Sequence, residues 1–197
     1  MADASIRAFI ALPISVEAKT YMAAVQDEVQ RRLGAPGIRW VREDARHLTL
    51  KFLANIPVSR VAAVEQAMNE AVAGKKWFTL SLATLGVFLN PRRPRVLWVG
   101  LGGETDRLQT LYGSLEERLA AARFPREDRP FSPHLTLGRV SDGISRGIEQ
   151  RLKSMLAEWD TNAIGPTFTA ERLVLYKSTL TPQGAIYDEL ASATLST

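Results

Sequence analysis

His47 and His134 are the only histidines among the 197 residues, and each opens the same tetrapeptide, His-Leu-Thr-Leu. The tetrapeptide alternates polar and apolar, the period of a half-buried strand, so each His shares a face with the Thr two residues on. The leucines between them point to the opposite face. The chain therefore carries two copies of a proton-transfer group beside a hydroxyl donor. An ordinary imidazole titrates near ~6.5, so one ring can be neutral while the other is protonated. That pairing suits in-line displacement at phosphorus: one ring takes a proton from the attacking water and the other gives one to the leaving oxygen. Thr49 and Thr136 would donate hydrogen bonds to the non-bridging oxygens. The scheme requires no metal and no cofactor.

Rival chemistries find less support. A lone strand His is usually structural, and two could be inherited packing, but the matched contexts favour a shared site. A metal centre built on two His needs carboxylates; Glu43 and Asp44 precede His47, whereas Glu127 and Asp128 are less well matched before His134. There is no Cys, which excludes thiol nucleophiles and disulfides. No Gly-x-Ser-x-Gly occurs.

The elements that must hold these residues read as a repeat. Ile6–Leu12 is strand-like, Ser15 is a helix N-cap, Met22, Val25, Val29 and Leu33 fall at helical spacing, and Gly34 ends the helix. After the first His strand, Val61, Val64, Met68 and Val72 mark a helix ending at Gly74, and Phe78–Phe88 alternates as a strand. The second half follows the same order: a strand at Arg95–Gly100, a helix through Leu108, Leu111, Leu115 and Leu119, the second His strand, a helix through Ile148, Leu152, Met155 and Trp159, and a strand at Phe168–Tyr176. The repeat spans roughly 6–90 and 94–178 of a single domain, 1–197, and a C-terminal hairpin is expected over 168–190, turning at Thr181–Gly184. The Pro/Arg-rich stretch Asn90–Arg95 is the expected connection between lobes. Phe124–Pro133, with three prolines, is a second irregular segment.

Composition sets outer limits. The apolar fraction of 46% and charged fraction of 23% are those of a soluble globular protein. The apolar run Ala8–Ile14 is too short to span a bilayer and lacks a cleavage pattern, so a cytoplasmic monomer with no membrane contact is expected. A net charge of +4, rich in Arg, suits a phosphate-bearing partner.

The paired motifs resemble the two-histidine phosphoesterase superfamily. Their flanks resemble its RNA 2′,3′-cyclic phosphodiesterase branch, also called 2′–5′ RNA ligase-like. The matching stretches are Arg7–Pro13, Trp40–Leu53, Phe131–Arg139, and Leu175–Ser178 before Gly184 and Tyr187. The resemblance implies an α+β fold, bilobal and duplicated, with two mainly antiparallel sheets lining a central cleft and helices outside. It implies opening of a terminal RNA 2′,3′-cyclic phosphate to a 2′-phosphomonoester, on RNA ends such as tRNA fragments or on small cyclic nucleotides. It implies His47 as proton donor and His134 as proton acceptor; the residues alone leave that order open. It suggests that Arg139 holds phosphate, although strict alternation puts Arg139 on the Leu135 face unless a bulge re-aims it. By alternation Lys51 shares the His47 face and is a candidate to steer the anion. Arg42, Arg46, Arg92, Arg93 and Arg129 are candidate RNA backbone contacts, and Trp40 and Phe131 candidate base stackers, with core packing favoured for both. Alternatives are ligation of RNA ends without nucleotide triphosphate, which is the same chemistry reversed, and an RNA-end binding module without turnover.

Overall fold

Alternation in the two His-x-Thr segments becomes strand pairing in the computed structural model of the chain, which describes residues 4–34, 37–90, 93–141, 145–159, 165–182 and 184–197. In order these form β1 (Ser5–Pro13), α1 (Val16–Leu33), β2 (Ile38–Trp40), β3 (His47–Pro57), α2 (Val61–Val72), β4 (Phe78–Asn90), β5 (Arg93–Gly103), α3 (Thr105–Ala121), β6 (Leu135–Val140), α4 (Arg146–Glu158), β7 (Thr167–Ala170), β8 (Arg172–Thr181) and β9 (Gly184–Thr194). Mixed α+β architecture follows from the two periodicities in the sequence. Among the described residues no helix is long and apolar enough to cross a membrane.

Local chemistry sets the helix ends. The Ser15 hydroxyl accepts from the Ala18 amide at 3.2 Å, and Gly34 adopts φ +57° where α1 stops. The Ser145 hydroxyl caps α4 in the same way, accepting from Ile148 at 3.3 Å. The buried faces are the ones the spacing marks: Met22, Val25, Val29 and Leu33 on α1, Val64, Met68 and Val72 on α2, Leu108, Leu111, Leu115 and Leu119 on α3, and Ile148, Leu152 and Met155 on α4. Most of these side chains pack with Leu48, Leu50, Leu135 and Leu137 in one core.

The two expected sheets meet edge to edge as one continuous sheet in the order β7-β4-β5-β6-β3-β1-β8-β9, with β2 also on β6. Every named strand pairing is antiparallel. The junction between the halves is β3–β6, which pair through Leu48 and Leu135. Each half-sheet takes two strands from the other half of the sequence, β2 and β4 on one side and β8 and β9 on the other. β4 pairs with β5 and β7, and β8 pairs with β1 and β9. Asn90–Arg95 is accordingly not a connection between lobes: β4 and β5 pair antiparallel as far as Asn90 and Arg93, within one half-sheet. The chain crosses through α2 and again at Glu171. There the expected strand Phe168–Tyr176 breaks in two, and the Glu171 carbonyl accepts from Leu195 at 2.8 Å. Only β7 alternates; in β8 the consecutive Leu173, Val174 and Leu175 are all buried.

Candidate active site

Leu48 and Leu135 are both fully buried. His47 and Thr49 flank Leu48, and His134 and Thr136 flank Leu135, so all four polar side chains occupy the opposite face of the sheet junction. Continuing the antiparallel register by one residue each way sets His47 beside Thr136 and Thr49 beside His134. The two histidines are then a diagonal cross-strand pair, a relationship that spans roughly 7–8 Å between Cα atoms. Imidazoles extending from such positions can converge on one small group between them.

The two rings have different surroundings. His47 lies flat against Phe9, with ring centroids 4.7 Å apart and planes at 25°, and takes the edge of Tyr187 at 5.2 Å. Tyr176 completes the cluster, 5.3 Å from Phe9 and 6.1 Å from His47. This aromatic enclosure desolvates the imidazolium and lowers the His47 pKa to about 4; the nearby Lys19 charge pushes the same way, while a hydrogen bond with the Ala45 backbone opposes it. His134 meets Phe88 edge-on at 4.7 Å, and its Nδ1 is 2.8 Å from the Ser132 carbonyl. That carbonyl can only accept, so Nδ1 carries the hydrogen and the neutral ring presents its lone pair at Nε2. Burial lowers the His134 pKa, the Ser132 carbonyl opposes, and the Arg139 charge adds to the lowering. Beside Thr136 stands Trp98, its partner across β5–β6. The indole covers Gly86, where a Cβ would collide with the ring, so the glycine is required by close approach.

Bulges decide which other residues reach this face. Leu137 is the extra residue where β6 pairs with β5, between the pairs Trp98–Thr136 and Leu97–Gly138. The shift turns Arg139 away from the core side: it is exposed, and its charge is felt at both His134 and Tyr187. On β3 the shift works against the expectation for Lys51. Leu50 is the extra residue opposite β1, and Lys51 turns to the helix side, 6% exposed. Its Nζ lies 2.8 Å from Glu116 and donates to the Pro125 carbonyl at 2.7 Å. Lys51 therefore does not share the His47 face, and Phe52 takes that place.

The remaining candidates separate by burial. Arg46 is not available to RNA: it is 5% exposed and donates to the Lys19 carbonyl at 2.7 Å and Gln26 at 2.9 Å. Arg42 is exposed and paired with Asp44, and Arg129 is exposed with Nε 3.0 Å from Glu127. Arg92 and the Arg93 side chain lie outside the described residues. Trp40 is half-buried over Gly138, and Phe131 stacks on Tyr112 at 3.9 Å with planes 4° apart, so both pack within the protein. Among the described residues no three His, Cys, Asp or Glu side chains are grouped to hold a metal. Sequence reasoning gave no role to the aromatic wall, Phe9, Tyr176 and Tyr187, nor to Arg7, whose charge also reaches Tyr187. The alternation of Arg7 with Phe9 on one face of β1 was the available signal.

Comparison with known proteins places this geometry among relatives. A family model described as LigT-like phosphoesterase matches the chain twice, over residues 12–98 and 99–187. A protein of Thermotoga maritima named RNA 2′,3′-cyclic phosphodiesterase is 31% identical over 94% of this chain and 93% of its own length. One of the same name from Methanothermobacter thermautotrophicus is 28% identical over 94% and 96%. The crystal structure of a Thermus thermophilus protein superposes with a TM-score of 0.76 at 25% identity, covering 96% of this chain and 98% of that one.

Proposed function

The chain belongs to the LigT-like phosphoesterase family, and from that premise we propose that it hydrolyses the 2′,3′-cyclic phosphodiester at RNA ends to a 2′-phosphomonoester. The observation that carries the reading is the Leu48–Leu135 pair, which sets both His-x-Thr motifs side by side on one face.

His134 is the proton acceptor. Its Nδ1–H is held by the Ser132 carbonyl, so Nε2 keeps the lone pair and acts as the base. Nε2 takes a proton from water as the water oxygen bonds to phosphorus. The P–O3′ bond breaks on the far side, and His47 delivers a proton to the departing 3′-oxygen. The 2′-oxygen keeps the phosphate. Thr49 and Thr136 donate to the non-bridging oxygens, and Arg139 balances their charge. With its pKa near 4, His47 is neutral in the free protein at pH 7. The cyclic phosphate is an anion, and an anion beside an imidazole favours its protonated form. Substrate binding and protonation of His47 are thus coupled, and the acid is armed when its substrate is present.

Both motifs come from one chain, so one copy carries a complete site; we take the working unit to be a cytoplasmic monomer acting on RNA fragments. The test is direct: incubate the purified protein with a trinucleotide ending in 2′,3′-cyclic phosphate and follow the product by ³¹P NMR. The expected product is the 2′-phosphomonoester alone. An unchanged cyclic phosphate, or a 3′-phosphomonoester, contradicts the proposal.

A further inference from the structure

Arg39 and Arg139 stand directly opposite one another on β2 and β6. Such partners share a face and hold their Cβ atoms roughly 4.5–5.5 Å apart, so two like charges in these places repel. The neighbours fix which face it is. Ile38 and Trp40, on either side of Arg39, close over Gly138 and pack against the core. Arg39 therefore points the other way, and it is exposed, as Arg139 is. Arg139 is also the partner of Val96 on β5, and two residues further along β5 Trp98 partners Thr136. The two arginines thus lie on the face of Thr136, about 7 Å from it along the strand direction. Other exposed arginines, Arg42, Arg107, Arg118 and Arg129, each lie against a carboxylate. Among the described residues no carboxylate meets Arg39 or Arg139. Two unneutralised guanidinium groups side by side give no advantage to folding, and such local violations are expected where function demands them.

From this pairing we infer that Arg39 binds the internucleotide phosphate that precedes the cyclic one, with Arg139 standing between the two phosphates. The inference rests on the function proposed above and deepens it, because it makes an RNA end, rather than a free cyclic nucleotide, the substrate the surface is built for. Arg139 is the nearer of the two to the reacting group: its charge is felt at His134. Arg39 lies one strand further out on β2, at a separation from Thr136 that one ribose can bridge. A guanidinium presents a planar fork of donors that matches two phosphate oxygens, and an anion placed beside the pair removes the repulsion between them. A mononucleotide with a free 5′-hydroxyl has no group to offer at this place.

The experiment compares kcat/KM for two dinucleotides ending in 2′,3′-cyclic phosphate. One has its ordinary internucleotide phosphate, and the other has an uncharged methylphosphonate in that place. The quantity read is the preference for the charged over the uncharged substrate. The wild-type preference should be about tenfold to a hundredfold, the worth of one charge-assisted contact. Arg39→Ala should remove it and reduce the salt dependence of kcat/KM on the charged dinucleotide by about one charge. Arg39→Gln, which keeps most of the side-chain length without the charge, should do the same and serves if the alanine variant does not fold. Arg39→Lys should keep most of the preference. A wild-type protein without preference overturns the inference, and so does a preference that survives both neutral variants. A preference that survives them and disappears in Arg139→Ala moves the contact to Arg139 and equally overturns it. If the wild-type protein turns over neither dinucleotide, the proposed function has failed. The same comparison is then read from dissociation constants of the two dinucleotides ending in a 2′-phosphate, where an equal preference in wild type and Arg39→Ala overturns this inference as well.

Discussion

The Phe9 ring lies flat on the imidazole of His47, centroids 4.7 Å apart, and this contact explains why the two histidines are not equivalent. Phe9 is 3% exposed and excludes water from one whole face of the ring. Phe9→Leu opens part of that face, so the His47 pKa should climb from about 4 toward the usual imidazole value. Histidine resonances followed by NMR across pH 3 to 8 will show it. A His47 that still titrates near 4 in the variant would mean that Phe9 is not the cause.

The same lowering makes acid unfavourable to the fold. Between about pH 6.5 and 4 the unfolded chain binds a proton at His47 that the native state does not, so stability falls as pH falls through this range and is fully present above it. The His47 contribution is about 3 kcal/mol at most, and His134, lowered in the same direction, adds to it. Urea unfolding at pH 7 and pH 4.5 should therefore show a smaller difference for His47→Leu than for the wild type. Equal differences would contradict the assignment.

Lys51 and Glu116 are buried together, side chains 6% and 8% exposed. Removing one partner leaves the other as an uncompensated buried charge. Lys51→Met should cost about 3–5 kcal/mol, and the double change Lys51→Met with Glu116→Leu should cost clearly less. Denaturant midpoints of the three proteins supply the comparison. A double variant as unstable as the single one would show that the pair is not the source of the loss.

The Leu137 bulge turns Arg139 outward, where its charge is felt at His134 and Tyr187. If its guanidinium meets phosphate, Arg139→Ala should weaken kcat/KM about tenfold or more and reduce the salt dependence of RNA binding by about one charge. Its positive charge also lowers the His134 pKa, so the variant should raise it. An unaltered salt slope would assign Arg139 to the surface alone.

Much of the candidate site is legible in the sequence. His47, Thr49, His134 and Thr136 were set on one face by period-2 alternation, and the faces of all four helices by their apolar spacing. What failed did so at bulges and breaks. One extra residue at Leu50 moved Lys51 to the helix side, and one at Leu137 turned Arg139 outward. A bulge changes the face of every residue beyond it without altering the composition of the strand. The exchange of β4 and β8 between half-sheets was hidden for a related reason: alternation states that a segment pairs, not with which strand. Burial of Arg46 depended on α1 supplying Gln26 and the Lys19 carbonyl as acceptors, which are distant in sequence.

The central claim is that both imidazoles act on one phosphate. Steady-state rates of His47→Ala and His134→Ala on RNA ending in 2′,3′-cyclic phosphate test it most directly, with circular dichroism confirming the fold of each. Loss of one proton transfer should reduce kcat by about 10²–10⁴-fold in either protein. Turnover within a few-fold of wild type in either variant would contradict the account.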